Sequence, residues 1–177
     1  MKRVFFLLVV VAMGVTIAFG QSQVKKETVA GITNLARIET TVACAGAITP
    51  QSVPEIKKMG FVSIVNLRPS TEAGANVEEE AAAAKAVGLK YVHIPFVTAM
   101  PDPAAVDAFV KAMTDSGTQP AFIHCSGGNR AAAMWFVKRA LLDKWDTERA
   151  MAEATELGFA NAALKTFMMD YVKAHAK

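Results

Sequence analysis

The sequence is poor in the residues that most often build metal centres and disulfide frameworks. Its 177 residues include only two cysteines and three histidines. The histidines are scattered without the spacing of metal ligands, so neither a metal site nor a cofactor is predicted. Basic residues do not form a run interleaved with aromatic residues, which argues against nucleic-acid binding. The sequence also shows no internal repeat and no low-complexity tract.

Apolar residues form one long run, and it lies at the N-terminus. Val4 to Phe19 covers 16 residues, which is short for a membrane-spanning helix. Lys2 and Arg3 precede the run, and small residues at positions 18 and 20 suit a cleavage site. We therefore predict a cleaved signal peptide over residues 1–20 and a periplasmic or secreted protein without a stable membrane anchor. The alternative is an uncleaved anchor.

The chain beyond the predicted signal peptide is long enough for one domain with a proper core. Removing residues 1–20 leaves 157 residues and a net charge of about +1, because Lys2 and Arg3 supply two of the three net positive charges. No cysteine follows the apolar run, which argues against a lipoprotein anchor. Residues 21–37 are polar and mixed, so we predict a flexible leader there and a single domain over residues 38–177.

Segments with strand and helix character alternate along the rest of the chain. Strands are predicted at 39–45, 61–67, 90–94 and 121–125, and helices at 49–59, 76–87, 103–114, 130–144, 146–156 and 161–173. This alternation predicts an α/β fold with a mostly parallel sheet of about four to five strands and helices on both faces. Loops 68–74, 95–102 and 124–130 follow strands, so they should gather on one rim, where such sheets bind ligands.

The segment from His124 to Arg130 carries the predicted chemistry. A buried strand is followed by a glycine turn and then by a helix. This arrangement points N–H groups and the positive helix end at one spot, which forms an anion site. Cys125 supplies a nucleophile, since a helix N-terminus and a nearby cation favour its thiolate. Arg130 can hold two oxygens of a phosphoryl group. The predicted substrate-binding residues are Ser126, Gly127, Gly128 and Asn129.

Hydrolysis of a phosphate ester also needs a general acid that protonates the leaving oxygen. Asp102, 23 residues before Cys125 on loop 95–102, is the first candidate. It equally suits the N-cap of helix 103–114, and both roles can hold. Glu72 on loop 68–74 is the second candidate. His124 is expected to orient its neighbour, and the acidic run at positions 78–80 is interpreted as complementing a helix dipole.

The two cysteines lie in different sequence settings. Cys125 lies in the polar glycine loop, whereas Cys44 lies in Val42–Gly46, which is typical of a short strand. An exported protein meets an oxidising compartment, where two cysteines often pair. A structural disulfide is therefore an alternative, and a reversible disulfide that protects a reactive thiolate is a variant of it.

The glycine loop with His124, Cys125 and Arg130 resembles the Cys-dependent protein tyrosine and dual-specificity phosphatase superfamily. Segments 46–50, 64–69 and 91–95 are similar to bacterial beta-lactamase-hydrolase-like, or tyrosine-phosphatase-like, phosphatase domains. The resemblance covers about residues 39–145 and implies a dual-specificity-phosphatase-like fold. It implies Cys125 as the nucleophile that forms a thiophosphoryl-cysteine intermediate with phosphate monoesters, Arg130 as the phosphate binder and Asp102 as the acid.

The loop departs from the usual phosphatase signature at two points. Four residues separate Cys125 from Arg130, where the signature has about five, and Ala131 replaces the usual serine or threonine. In that signature the hydroxyl helps the thiolate to leave, and Ser126 is a candidate for this role. A four-residue gap is also typical of rhodanese-type sulfurtransferases, which carry a cysteine persulfide. The alternatives are therefore a sulfurtransferase and a non-catalytic domain that binds phosphate or a partner. The class of phosphorylated substrate stays open.

Overall fold

The computed structural model describes residues 23–176, which form a six-stranded sheet flanked by helices. The strands are β1 (Lys25–Val29), β2 (Ile32–Ile38), β3 (Val42–Ala45), β4 (Ser63–Asn66), β5 (Lys90–His93) and β6 (Ala121–His124). Their order in the sheet is β1-β2-β3-β6-β4-β5. Strands β3, β6, β4 and β5 are parallel, whereas β1–β2 and β2–β3 are antiparallel. The predicted α/β fold with a mostly parallel sheet is confirmed.

Helices cover both faces of the sheet, as predicted. They are α1 (Val53–Lys58), α2 (Val77–Ala86), α3 (Pro103–Thr114), α4 (Asn129–Leu141), α5 (Thr147–Glu156) and α6 (Ala162–His175). Helices α1 and α2 share one buried cluster with Ile64 and Phe122 of the sheet. Helices α3 to α6 share the other with Val65 and Ile123. Strands β3, β4 and β6 are buried at every position, and most of their residues are apolar.

The hairpin β1–β2 corrects the prediction of a flexible leader over residues 21–37. Gly31 turns the chain with a φ of +76°, and β2 then buries Ile32, Leu35 and Ile38. The charges at positions 25–27 favoured a leader, but they lie on β1, an edge strand, where charged side chains are usual. Arg37 and Glu27 form an ion pair of 2.8 Å across the hairpin.

Three helices on the side of the sheet that carries α3 to α6 begin with a side-chain cap, and one of these caps, Asp102, was predicted. Asp102, Asp146 and Asn161 each accept a hydrogen bond from a first-turn N–H group, at 2.8 to 2.9 Å. Asn76, at the start of the predicted helix 76–87, takes a left-handed conformation and its side chain makes no capping bond. The Asp102 cap marks the end of rim loop 95–102.

The predicted signal peptide over residues 1–20 lies outside the described residues and stays a prediction. Within residues 23–176, no helix has both the length and the apolar character needed to cross a bilayer.

Candidate active site

The loop between β6 and α4 is held in place by the chain that follows β3. The N–H of Ala47 donates to the carbonyl of Ser126 at 2.9 Å. A Cβ atom added at Gly46 would lie 2.8 Å from the same carbonyl oxygen, so this close approach requires glycine. Gly128 then turns the chain into α4 with a φ of +99°. Glycines on both sides thus shape the predicted anion loop.

Cys125 lies at the base of this loop and is 1% exposed. Its Sγ accepts a hydrogen bond of 3.1 Å from the N–H of Gly128. Helix α4 begins at Asn129, and the first N–H groups of a helix have no partner within the helix. A backbone donor and the positive end of a helix therefore both lie beside the sulfur.

The Arg130 side chain connects the three loops that follow the parallel strands. It is 6% exposed. Its Nη1 donates to the carbonyl oxygens of Phe96 and Leu67, at 2.8 and 3.3 Å. Its Nη2 donates to Glu72 Oε2 at 2.8 Å and to Ser126 Oγ at 2.9 Å. The prediction that these loops gather on one rim is therefore confirmed, and Arg130 lies where they meet.

Glu72 bridges two arginines. Its carboxylate pairs with Arg130 Nη2 at 2.8 Å and with Arg68 Nε at 2.9 Å. Burial alone would raise the pKa of Glu72, but the hydrogen bonds and positive charges of Arg130 and Arg68 outweigh it and hold this pKa below its usual range. A general acid must carry a proton. The structure thus argues against Glu72 as the acid and makes it an orienting partner of Arg130.

Arg68 is a site residue that sequence reasoning missed. It is 3% exposed, and its guanidinium donates to the carbonyls of Ala73 and Gly74 at 2.6 and 2.7 Å. These bonds close loop 68–74 around the side chain. His93 Nε2 lies 2.7 Å from the Arg68 carbonyl, which joins this loop to the end of β5. The four-residue spacing from Arg68 to Glu72 was the available signal in the sequence.

A largely buried polar network lies next to the cysteine loop. Glu80 Oε2 accepts hydrogen bonds from Asn66 Nδ2 at 2.9 Å and from the Tyr91 hydroxyl at 2.8 Å. The same oxygen lies 3.2 Å from His124 Nε2, and both of these side chains are 0% exposed. Burial, above all, raises the pKa of Tyr91, so the phenol keeps its proton. Interpreting Glu80 as a helix-dipole residue was therefore incomplete.

This network contacts both the cysteine loop and loop 68–74. His124 is the neighbour of Cys125 in the chain. Asn66 Oδ1 accepts the N–H of Arg68 at 2.8 Å and so fixes the start of loop 68–74. Among residues 23–176, neither ring nitrogen of His124 has a hydrogen-bond partner, so its orienting role stays a prediction.

Two predicted site residues make contacts away from Cys125. Asp102 is exposed, and its carboxylate caps α3 by accepting the N–H of Ala104 at 2.9 Å. Its capping role is therefore present, and its role as an acid stays a prediction. The Asn129 side chain accepts the N–H groups of Ala160 and Asn161, at 2.8 and 3.0 Å. Its side-chain oxygen thus anchors the α5–α6 turn.

Both cysteines are free and buried. Their strands β3 and β6 are neighbours, and the two side chains share one buried cluster. Burial and the nearby Cys125 raise the pKa of the Cys44 thiol, so Cys44 is a protonated core residue at neutral pH. Among residues 23–176, no group of three or more histidine, cysteine, aspartate or glutamate side chains could hold a metal ion.

Two solved structures share this fold. A DUF442 protein from Shewanella putrefaciens CN-32 has a TM-score of 0.69 at 21% identity and covers 83% of this chain and 96% of its own. A cysteine-to-serine variant of Pseudomonas aeruginosa TpbA, in complex with phosphotyrosine, has a TM-score of 0.64 at 17% identity and covers 90% and 93%. At these identities the likeness concerns the fold.

Sequence comparison places the chain in a family. A beta-lactamase hydrolase-like protein of Agrobacterium fabrum is 33% identical over 108 residues, which cover 59% of this chain and 25% of that protein. This chain thus spans about a quarter of the length of that relative. The family model of the phosphatase-like domain matches residues 34–142, from β2 to the end of α4. The chain therefore belongs to the family of phosphatase-like domains found in beta-lactamase hydrolase-like proteins.

Proposed function

We propose that this protein is an exported Cys-dependent phosphatase of the protein tyrosine and dual-specificity type. One observation carries the proposal: Cys125 Sγ lies 3.1 Å from the Gly128 nitrogen at the start of α4, while Arg130 is held at the same loop by Glu72. A thiolate, backbone donors and a fixed guanidinium are the parts that phosphoryl transfer through cysteine needs. The predicted signal peptide supports export to the periplasm or beyond.

The proposed reaction proceeds in two steps. The Cys125 thiolate attacks phosphorus, an S–P bond forms, and the P–O bond to the leaving group breaks. The leaving oxygen takes a proton from the Asp102 carboxylic acid. Water then attacks the thiophosphoryl-cysteine, Asp102 takes its proton, and the S–P bond breaks to release inorganic phosphate and the thiolate. Arg130 and loop N–H groups stabilise the phosphoryl oxygens.

The substrate is a phosphate monoester whose class the geometry leaves open. The phosphotyrosine complex of TpbA supports an aryl phosphate as a first substrate to assay. The short loop favours one competing function, a rhodanese-type sulfurtransferase with a Cys125 persulfide, because four residues between cysteine and arginine make a smaller cradle. The match to a phosphatase-like family supports the first function over the second.

A paired assay of the purified protein tests the proposal. We expect hydrolysis of an aryl phosphate and no thiocyanate formation from thiosulfate and cyanide. Cys125→Ser should lower phosphate hydrolysis by roughly a thousandfold or more, because it removes the nucleophile. The thermal unfolding midpoint of Cys125→Ser shows whether its fold survives. Cys44→Ser is the control for replacing a buried cysteine and should keep its activity. Retained turnover in Cys125→Ser would exclude Cys125 as nucleophile, and thiocyanate formation alone would favour the sulfurtransferase.

A further inference from the structure

The Arg130 guanidinium has few donors left for a ligand. Its two Nη1 hydrogens serve the carbonyls of Leu67 and Phe96, and its two Nη2 hydrogens serve Glu72 and Ser126. Among the described residues, no partner of the Nε–H is found, so that donor is open. Bidentate binding of a phosphoryl group needs a second N–H donor from the same guanidinium.

Ser126 is the partner that can release such a donor. The carbonyls of Leu67 and Phe96 belong to the backbone at the ends of strands, and Glu72 is also held by Arg68. Ser126 is instead an exposed residue, and its hydroxyl is neutral. Rotation about one side-chain bond would move the hydroxyl away from Nη2, whereas moving the other partners would distort a strand end or break an ion pair.

We infer that Ser126 limits how tightly the site binds phosphate, because its hydroxyl holds the Arg130 donor that a second phosphoryl oxygen would take. The inference rests on the proposed function. A bound phosphate replaces a neutral hydroxyl with a charged oxygen, and hydrogen bonds to charged groups are roughly twice as strong. The exchange therefore favours doubly charged oxyanions and disfavours ligands that offer a single neutral oxygen.

The short loop brings Ser126 close to Arg130. Four residues separate Cys125 from Arg130, and the hydroxyl of the first of them, Ser126, accepts a hydrogen bond from the guanidinium. The hydroxyl keeps Nη2 partnered in the free protein, and its displacement costs part of the binding free energy of the phosphate. Removing the hydroxyl should therefore tighten phosphate binding.

Titration calorimetry of the full chain with inorganic phosphate at neutral pH tests this inference. Ser126→Ala should bind phosphate about fivefold more tightly than the wild type, the amount expected for the loss of one competing hydrogen bond. Ser126→Thr keeps a hydroxyl and should bind more weakly than Ser126→Ala. Ser116→Ala, an exposed serine in the turn before β6, is the control and should bind as the wild type does.

The outcomes separate this inference from the proposed function. Unchanged or weaker phosphate binding by Ser126→Ala, with wild-type binding intact, would overturn the role of Ser126 and leave the phosphatase proposal standing. Absence of phosphate binding in the wild type and in both Ser126 variants would overturn the anion site itself, and the inference with it. Tighter binding by both Ser126→Ala and Ser116→Ala would also count against a specific role of Ser126.

Discussion

Asp102 and Glu72 are the two carboxyl groups that the sequence offered as general acids, and their surroundings divide the roles between them. Glu72 accepts hydrogen bonds from Arg130 and Arg68, which keep it ionised. Asp102 is exposed and accepts one bond from a backbone N–H. An ionised carboxylate between two arginines can orient a guanidinium, whereas the role of Asp102 as the acid is a proposal that rests on its exposed position.

Paired amide substitutions should separate these roles. Asp102→Asn keeps an N-cap, so we expect an intact fold, a kcat lower by roughly a hundredfold and loss of the basic limb of the pH–rate profile. Glu72→Gln should lower kcat/KM by roughly tenfold, because Arg130 is less well oriented, and should keep the basic limb. The measurement is aryl-phosphate hydrolysis across pH. A flattened basic limb in Glu72→Gln alone would reverse the assignment.

Helix α2 contributes to the site from behind, although none of its residues belongs to the predicted cysteine loop. Its Glu78 and Glu79 are exposed and lie in the first turn, where they complement the helix dipole as predicted. Glu80 instead lies in the interior and joins Asn66, Tyr91 and His124. One turn of this helix thus combines two surface carboxylates with one that the buried network requires.

Glu80→Ala should therefore cost far more stability than Glu79→Ala. Removing the Glu80 carboxylate leaves buried polar partners without an acceptor, and we expect a loss of about 3 kcal/mol in the free energy of unfolding. Glu79→Ala, on the same turn, should change it by no more than about 0.5 kcal/mol. Urea denaturation measures both. Equal losses would mean that the dipole interaction dominates at both positions.

The local sequence pattern explains which strands and helices could be predicted. The central strands β4 and β6 are buried at every position and lie in the mostly apolar segments 61–67 and 121–125, and the capping residue Asp102 marked a helix start. The burial of Glu80 could not be predicted, because its partners come from β4, β5 and β6, elements distant in the chain. The same holds for β1, whose charged residues become a strand only by pairing with β2.

The sheet as a whole explains why the site lies where it does. Parallel strands β4, β5 and β6 end at one edge, and the loops that follow them meet at Arg130. The rim could be predicted from the order of the elements alone. The individual hydrogen bonds of Arg130 could not, because they depend on how three loops fold against one another.

The Glu72 ion pairs should also appear in the pH dependence of folding. A carboxyl whose pKa is lower in the folded than in the unfolded protein adds stability above the unfolded pKa and loses it as the pH falls through the folded pKa. The usual pKa of glutamate is 4.5, and that of Glu72 lies below it. Stability should therefore fall as the pH drops below about 4.5, because protonated Glu72 no longer pairs with Arg68 and Arg130.

Glu72→Gln removes this contribution at every pH. We expect it to be less stable than the wild type at pH 7, with a difference that shrinks as the pH falls from about 5 towards about 2. Urea unfolding at a series of pH values measures the difference, and Glu79→Gln, an exposed carboxyl on α2, is the control whose difference from the wild type should stay small throughout. A Glu72→Gln difference that stays constant across this range would show that Glu72 has the same pKa in both states.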